Sequence, residues 1–259
     1  MPTPIELIST DFDGTIFAEF ENPPVAAAFC EVVRELQVRG VKWVINTGRD
    51  LSSLMETLGR ADLAVRPDFL VLVEREIYRH DGVRYVSVEP WNQRCAEAHA
   101  ALFARVRPDL PRLTAWVNER FDAAVYEDAF SPFCLIARHN GDADAICHYL
   151  DAYCAEVPGL TVVRNDVYAR FSHAGFSKGT ALAELARELG LGPQQVFAAG
   201  DHFNDLPMLD RRIAHWLACP ANAVPAVKEQ VARQGGEVSA LSHGHAVAAA
   251  LRQFCWQGS

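Results

Sequence analysis

The sequence predicts an α/β protein, a parallel-sheet core with helices on both faces, interrupted by an inserted α+β unit. Three observations predict it. Apolar strands and amphipathic helices alternate β-α-β-α-β through residues 1–76, the pattern of parallel strands joined by right-handed crossovers. Over residues 77–173 the strands become short and are separated by long helices, as in an antiparallel sheet covered by helices. Strand–helix alternation then resumes and runs through residues 174–259. The expected division is a core of 1–76 and 174–259 around an insert of 77–173.

Ile5, Leu7 and Ile8 form the first apolar strand, which runs into Asp11. Asn22, Pro23 and Pro24 are expected to open a helix with Val25, Ala28, Phe29, Val32, Val33 and Leu36 on one face, stopped by Gly40. "VKWVIN" reads as a buried strand ending at "TGRD". Asp50 stands where it can cap "LSSLMETLG", whose Leu51, Leu54, Met55 and Leu58 recur at helical spacing. "DFLVLV" is the third strand. In the insert, "VRYVSVEP", "TAWVNE", "FCLIARH", "LTVVRN" and "VYARFS" read as strands, and "WNQRCAEAHAALFARV" and "DADAICHYLDAYCAEV" as helices. After it, "SKGTALAELARELG" is a helix with Ser177 as N-cap and Gly190 as its stop. "QVFAAGD" is a strand of small residues ending in an acid, "HWLACP" a further strand, and "NAVPAVKEQVARQ" and "HAVAAALRQF" are helices. The terminal "QFCWQGS" reads as a docked helix end and a frayed tail.

With 50% hydrophobic and 22% charged residues, the chain has an ordinary globular balance. A net charge of −9 argues against nucleic acid or an anionic membrane as partner, since neither is steered to an acidic surface. The seven cysteines are odd in number and form no CxxC pair, which fits reduced thiols in a cytoplasmic protein. Glu6 and Asp11 interrupt any apolar run at the start, so no signal peptide is expected, and no stretch approaches membrane-spanning length.

Four segments carry the chemistry, each at a strand end or a helix start, where α/β proteins place ligands. In "STDFDGTIF", Asp11 and Asp13 would share one face if the strand continued, and Gly14-Thr15 makes a turn whose amides can meet an anion. Two carboxylates beside such a turn suit metal-assisted phosphoryl chemistry with a carboxylate nucleophile. A calcium loop counted from Asp11 would need Glu at its twelfth position, where Asn22 stands. "NTGR", Asn46 to Arg49, follows the second strand. Lys178 sits in a first helical turn, a poor place for a cation unless an anion is near. In "GDHFNDLPML", Asp201 and Asp205 fall on one side of a helical turn, with Asn204 beside them; such crowded acids need a cation or a lysine.

In this order, "DFDGT", Thr47, Lys178 and "GDHFNDLPML" resemble the motifs of the haloacid dehalogenase-like hydrolase superfamily, and the following "CPANAVPAVK" resembles the segment after its last motif. That resemblance implies a Rossmann-like core. The place of the insert, between Thr47 and Lys178, is that of a C2-type cap, and its length and αβ character resemble the IIB group of Cof-type and sucrose-phosphate phosphatases. "EREIYRHDG" is similar to the latter group's "EIY" strand, with Glu74 and Arg75 replacing the usual glycine or asparagine. The resemblance implies a magnesium-dependent phosphatase acting on small phosphate monoesters, with sugar phosphates expected, as monomer or homodimer. Asp11 would be the nucleophile and Asp13 the acid and base. Thr47, Gly48, Lys178 and Asn204 would bind the phosphate, and Asp11, Asp13 (through its backbone carbonyl) and Asp201 would hold Mg2+. Asp205 and Arg49 would support them. The cap would exclude water and read the leaving group.

Arg120, Tyr126, His139, Arg164 and Arg170 are polar candidates in the insert, each with a plainer reading as an exposed strand residue. His202 and the "HGH" of His243 to His245 read as a local contact and a helix-start loop, not as metal ligands. A phosphomutase shares the aspartyl chemistry, and a non-catalytic phosphometabolite-binding protein is the alternative of a different class. A binder has no need of a nucleophile and an acid together.

Overall fold

A computed structural model of the chain describes residues 5–61 and 63–256. The expected frayed tail, residues 257–259, lies outside the described residues. The chain forms two compact units, Met1–Val88 with Lys178–Ser259, and Glu89–Ser177.

The first unit contains β1 (Leu7–Thr10), α1 (Ala27–Val38), β2 (Lys42–Asn46), α2 (Leu51–Ala61), β3 (Phe69–Leu72), β4 (Glu76–His80) and β5 (Tyr85–Ser87). The second contains α3 (Trp91–Val106), α4 (Leu110–Asn118), β6 (Ala123–Tyr126), β7 (Cys134–Ala137), α5 (Asn140–Glu156), β8 (Leu160–Asn165) and β9 (Tyr168–His173). The chain returns to the first unit with α6 (Lys178–Glu188), β10 (Val196–Ala199), β11 (Trp216–Cys219), α7 (Pro225–Arg233), β12 (Glu237–Val238) and α8 (His243–Trp256).

The first unit is built on an eight-stranded sheet of order β12-β11-β10-β1-β2-β3-β4-β5. Its strands are parallel from β12 to β3, while β4 and β5 are antiparallel. The run β1-β2-β3 proceeds one way and β10-β11-β12 the other, so the order reverses between β1 and β10. In such sheets ligands bind outside the carboxyl ends of the strands at that reversal. Continuous apolar strands such as "FLVL" and "VFAA" are wholly buried, as parallel strands covered on both faces must be. No helix among the described residues is long and apolar enough to cross a membrane.

Three elements differ from the sequence expectation. The first helix begins at Ala27, and Asn22–Pro24 precede it; Val25 pairs instead with Phe17 in an isolated bridge. "TAWVNE" is not a strand but the end of α4. Its Thr, Trp and Val favour strands, yet Leu113 and Val117 are both buried one helical turn apart, and packing overrides propensity. The insert starts later than residue 77, because β4 and β5 continue the large sheet as a hairpin on β3. A hairpin needs only a short turn, and nothing in its local pattern tells which sheet it extends.

The second unit is a four-stranded antiparallel sheet, order β6-β7-β9-β8, over a core that includes Leu102, Leu113, Phe133, Ile146 and Phe171. Of the candidates there, Arg170 is buried on β9 rather than exposed. Arg164 pairs with Asp144 and bonds Asn140 Oδ1 at 3.0 Å, and Arg120 lies over the Trp116 ring.

Candidate active site

β10, β1 and β2 are adjacent and parallel, with Thr10 in register with Ala199 on one side and Ile45 on the other. Asp11, Thr47 and Asp201 therefore emerge from the same edge of the sheet. The Asp11 amide still bonds Ala199 O at 2.9 Å, so the nucleophile candidate is held by the ladder rather than by a loose loop.

Lys178, the first residue of α6, is 0% exposed. Its Nζ donates to Asp11 Oδ1 and Asp205 Oδ1, both at 2.6 Å. The lysine is thus fixed between two buried acids, which accounts for a cation in a first helical turn. Burial opposes its charge, but Asp11 and Asp205 outweigh that, and its pKa is raised. Asn46 anchors the helix start from β2, Nδ2 donating to Lys178 O at 3.0 Å. Asp205 Oδ2 accepts the amides of Asp201 and His202 at 2.8 and 2.9 Å, which folds "GDHFND" into a tight turn.

Two glycines permit this closeness. Gly14 has φ +76°, and a Cβ there would lie 2.4 Å from Asp201 Oδ2. At Gly179 a Cβ would lie 2.1 Å from the backbone oxygen of Pro207. Gly179→Ala must push α6 away from the motif that holds Asp205. It is expected to cost about 1–3 kcal/mol or more, read as a lowered Tm, and to reduce turnover with it. An unchanged Tm would mean that the helix start does not pack as described.

Asp13 is not drawn into the acid cluster. Both its oxygens accept from Arg49, Oδ2 from Nε and Oδ1 from Nη2, each at 2.7 Å. Arg49 Nη1 also donates to Ser53 Oγ at 3.1 Å and Thr57 Oγ1 at 2.9 Å on α2. Asp50 caps that helix as expected, accepting from the Ser53 amide at 2.9 Å. Thr47 Oγ1 accepts from the Arg49 amide at 3.2 Å, which leaves the hydroxyl proton as a donor. Asn204 Nδ2 donates to Glu74 Oε1 at 2.9 Å, and Gly48 packs against the same carboxylate.

The acid cluster, Asp11, Asp201 and Asp205, has carboxylate oxygens within 4.8 Å of one another. These are hard donors of the kind magnesium takes. Burial pushes Asp11 well above the usual carboxylate range, and burial followed by Asp205 pushes Asp201 to about 7. A divalent cation relieves that crowding, so the residues fit the ion. Asp205 has given one oxygen to Lys178 and the other to two amides, so Asp11 and Asp201 are the side chains with most to offer it. His243 belongs to α8, its amide donating to Asn222 Oδ1 at 3.1 Å, and among the described residues no histidine joins the cluster.

Thr15 and Glu74 touch the candidate residues without being named by the motifs. Thr15 Oγ1 donates to Asp201 Oδ1 at 2.8 Å; it lies within "DFDGT" but the pattern gives it no role. Glu74 stood out only as a departure from the resemblance. A groove of about 680 Å³ between α2 and the β4–β5 hairpin is lined mostly by apolar side chains and holds none of these residues. Buried ionisable groups, rather than volume, mark the candidate site.

A family model described as haloacid dehalogenase-like hydrolase matches residues 117–251, just over half of the chain. The Bacillus subtilis protein YxeH, a candidate phosphatase by its name, is 33% identical over 275 residues, covering 96% of this chain and 98% of that protein. The chain belongs to the haloacid dehalogenase-like hydrolase family. It spans only 15%, 48% and 42% of the phosphoglycolate phosphatases it matches from Methanoculleus marisnigri, Methanothrix thermoacetophila and Thermoplasma volcanium. In structure, this haloacid dehalogenase-like chain is similar to the sucrose-phosphatase of Synechocystis sp., with a TM-score of 0.70 and 19% identity over 96% of this chain and 97% of the other. That likeness carries the fold.

Proposed function

We propose that the protein is a magnesium-dependent phosphatase that hydrolyses small phosphate monoesters, sugar phosphates among them, through an aspartyl-phosphate on Asp11. The observation that carries this is the fully buried Lys178, bonded at 2.6 Å to Asp11 at the end of the central strand. A lysine sequestered from water between two carboxylates has little purpose in a surface turn, but it orients a nucleophile and balances an arriving phosphate dianion. The relatives named for phosphatase activity support the same reading.

In the first step an Asp11 carboxylate oxygen attacks phosphorus, the ester P–O bond breaks, and the departing oxygen takes a proton from Asp13. In the second a water attacks the same phosphorus, gives its proton to Asp13, and releases phosphate and the free Asp11 carboxylate. Because Arg49 holds both oxygens of Asp13, Asp13 has to exchange at least one of those bonds for the leaving group. Thr47 donates its hydroxyl proton to a phosphoryl oxygen. Lys178 stays paired with Asp205 while Asp11 becomes esterified, so its charge is never left alone. Asp11, Asp201 and the Asp13 backbone oxygen would hold the magnesium ion, which supplies charge neutralisation at the phosphoryl group.

The test is release of inorganic phosphate from a panel of monoesters, including sucrose 6-phosphate, phosphoglycolate and hexose phosphates, with magnesium and with EDTA. Release that EDTA abolishes is expected, strongest for a phosphorylated sugar. Absence of release from every ester, with magnesium present, would overturn the phosphatase reading. Transfer to a sugar hydroxyl in place of water would make the protein a mutase.

A further inference from the structure

Val73 and Glu74, at the centre of the β3–β4 turn, have φ of +44° and +69°. The Arg75 amide bonds Leu72 O across the turn at 3.0 Å. Two successive positive φ values make a type I′ hairpin turn, which ordinarily takes Asn, Asp or Gly. A β-branched valine there is an outlier, and a glutamate gains nothing from the geometry. Strain of this kind persists only where surrounding contacts hold it, and it gathers at functional sites.

The turn is held by its backbone, the Val73 amide bonding Arg49 O at 3.0 Å and the Glu74 amide Thr47 O at 2.9 Å, and by the Glu74 side chain, which is only 6% exposed. Its Oε1 accepts from Asn204 Nδ2 at 2.9 Å. A Cβ on Gly48 would come within 3.2 Å of that oxygen, so the carboxylate lies directly on the loop after β2. Glu74 also joins Asp11 and Asp205 in supporting the Lys178 charge. One side chain from a strained turn thus reaches the phosphate-binding candidates of two other segments. A carboxylate only accepts, so the Asn204 amide has to face it with its nitrogen. The Asn204 Oδ1 is then buried, on a residue 7% exposed, with no hydrogen-bond partner among the described residues. A buried acceptor left without a donor is costly unless something arrives to satisfy it.

We propose that Glu74 is a positioning residue that fixes the Asn204 amide with its carbonyl oxygen presented as an acceptor, so that Asn204 Oδ1 meets a donor in the loaded site, an ordered water or a substrate hydroxyl. This rests on the phosphatase reading above and changes one part of it. The expectation that Asn204 binds phosphate applies at most to its second N–H, and its carbonyl oxygen is set to read something else. The phosphate oxygens are left to Thr47 and Lys178.

The test compares wild type with Glu74→Gly, Asn204→Asp and the exchanged pair Glu74→Gln with Asn204→Asp, by thermal unfolding and by kcat and KM for p-nitrophenyl phosphate with magnesium. Glycine adopts φ +69° without strain, so Glu74→Gly is expected to keep or raise the Tm while kcat/KM falls by at least about tenfold. A residue of purely structural use would lose Tm instead. Asn204→Asp sets two carboxylates against each other and is expected to lose both Tm and turnover. In the exchanged pair donor and acceptor trade places and the acceptor facing the ligand is kept, so at least about tenfold of that turnover returns. The proposal is overturned by Glu74→Gly retaining kcat/KM within about twofold of wild type, or by an exchanged pair no better than Asn204→Asp alone. If wild type hydrolyses nothing, the phosphatase reading fails separately. The Tm values then decide the contact: restoration in the exchanged pair supports it, and additive losses overturn it.

Discussion

Asp11→Asn is expected to abolish ester hydrolysis, lowering phosphate release by at least about 10³-fold, while the protein stays folded. The amide keeps the shape of the side chain but is too weak a nucleophile to take the phosphoryl group. Stability is expected to hold because Asp11 is a buried carboxylate whose ionisation is already disfavoured by burial, and because Asp205 still pairs with Lys178 at 2.6 Å. Thermal unfolding and phosphate release measured on one preparation check both halves. A variant that kept near-normal turnover would remove Asp11 as nucleophile. One that lost its fold would show that Asp11 serves the core first.

Lys178→Ala is the second large effect, and it differs in kind. Two acids lose their shared partner in a place closed to solvent, so the variant is expected to lose stability, by about 3 kcal/mol or more. Turnover should fall by about 10²–10³-fold in addition, because the charge that faces the phosphate and orients Asp11 has gone. The two losses separate on assay well below the melting temperature of the variant. Magnesium is expected to restore part of the Tm, since a cation between Asp11 and Asp201 relieves some of the repulsion. A variant with wild-type kcat would place Lys178 outside the chemistry.

Much of the core was legible in the sequence for simple reasons. Buried parallel strands are uninterrupted apolar runs, and the acids that end them, Asp11 and Asp201, break those runs abruptly. The helices of the core carry their apolar residues at helical spacing. What stayed hidden depends on partners far away in sequence. Glu74 meets Asn204 across 130 positions, and no local pattern announces that a glutamate in a hairpin turn is buried. Arg49 and Asp13 are each visible inside a motif, but their two-bond pairing is a fact of how β1 and β2 lie side by side. "TAWVNE" misled because β-favouring residues were read without the spacing of Leu113 and Val117, which only the packed helix satisfies. The β4–β5 hairpin was assigned to the insert because local alternation says that a strand forms without saying which sheet it joins.

The covalent step on Asp11 is tested most directly by trapping it. Wild type is mixed with magnesium and the best ester of the panel and quenched at steady state. Borohydride then reduces any acyl phosphate, turning the aspartate that carried it into homoserine, and the digest is read by mass spectrometry. Homoserine at Asp11 that appears only with substrate is the expected result. Phosphate release without any modification at Asp11, or with the modification at another carboxylate, would contradict it.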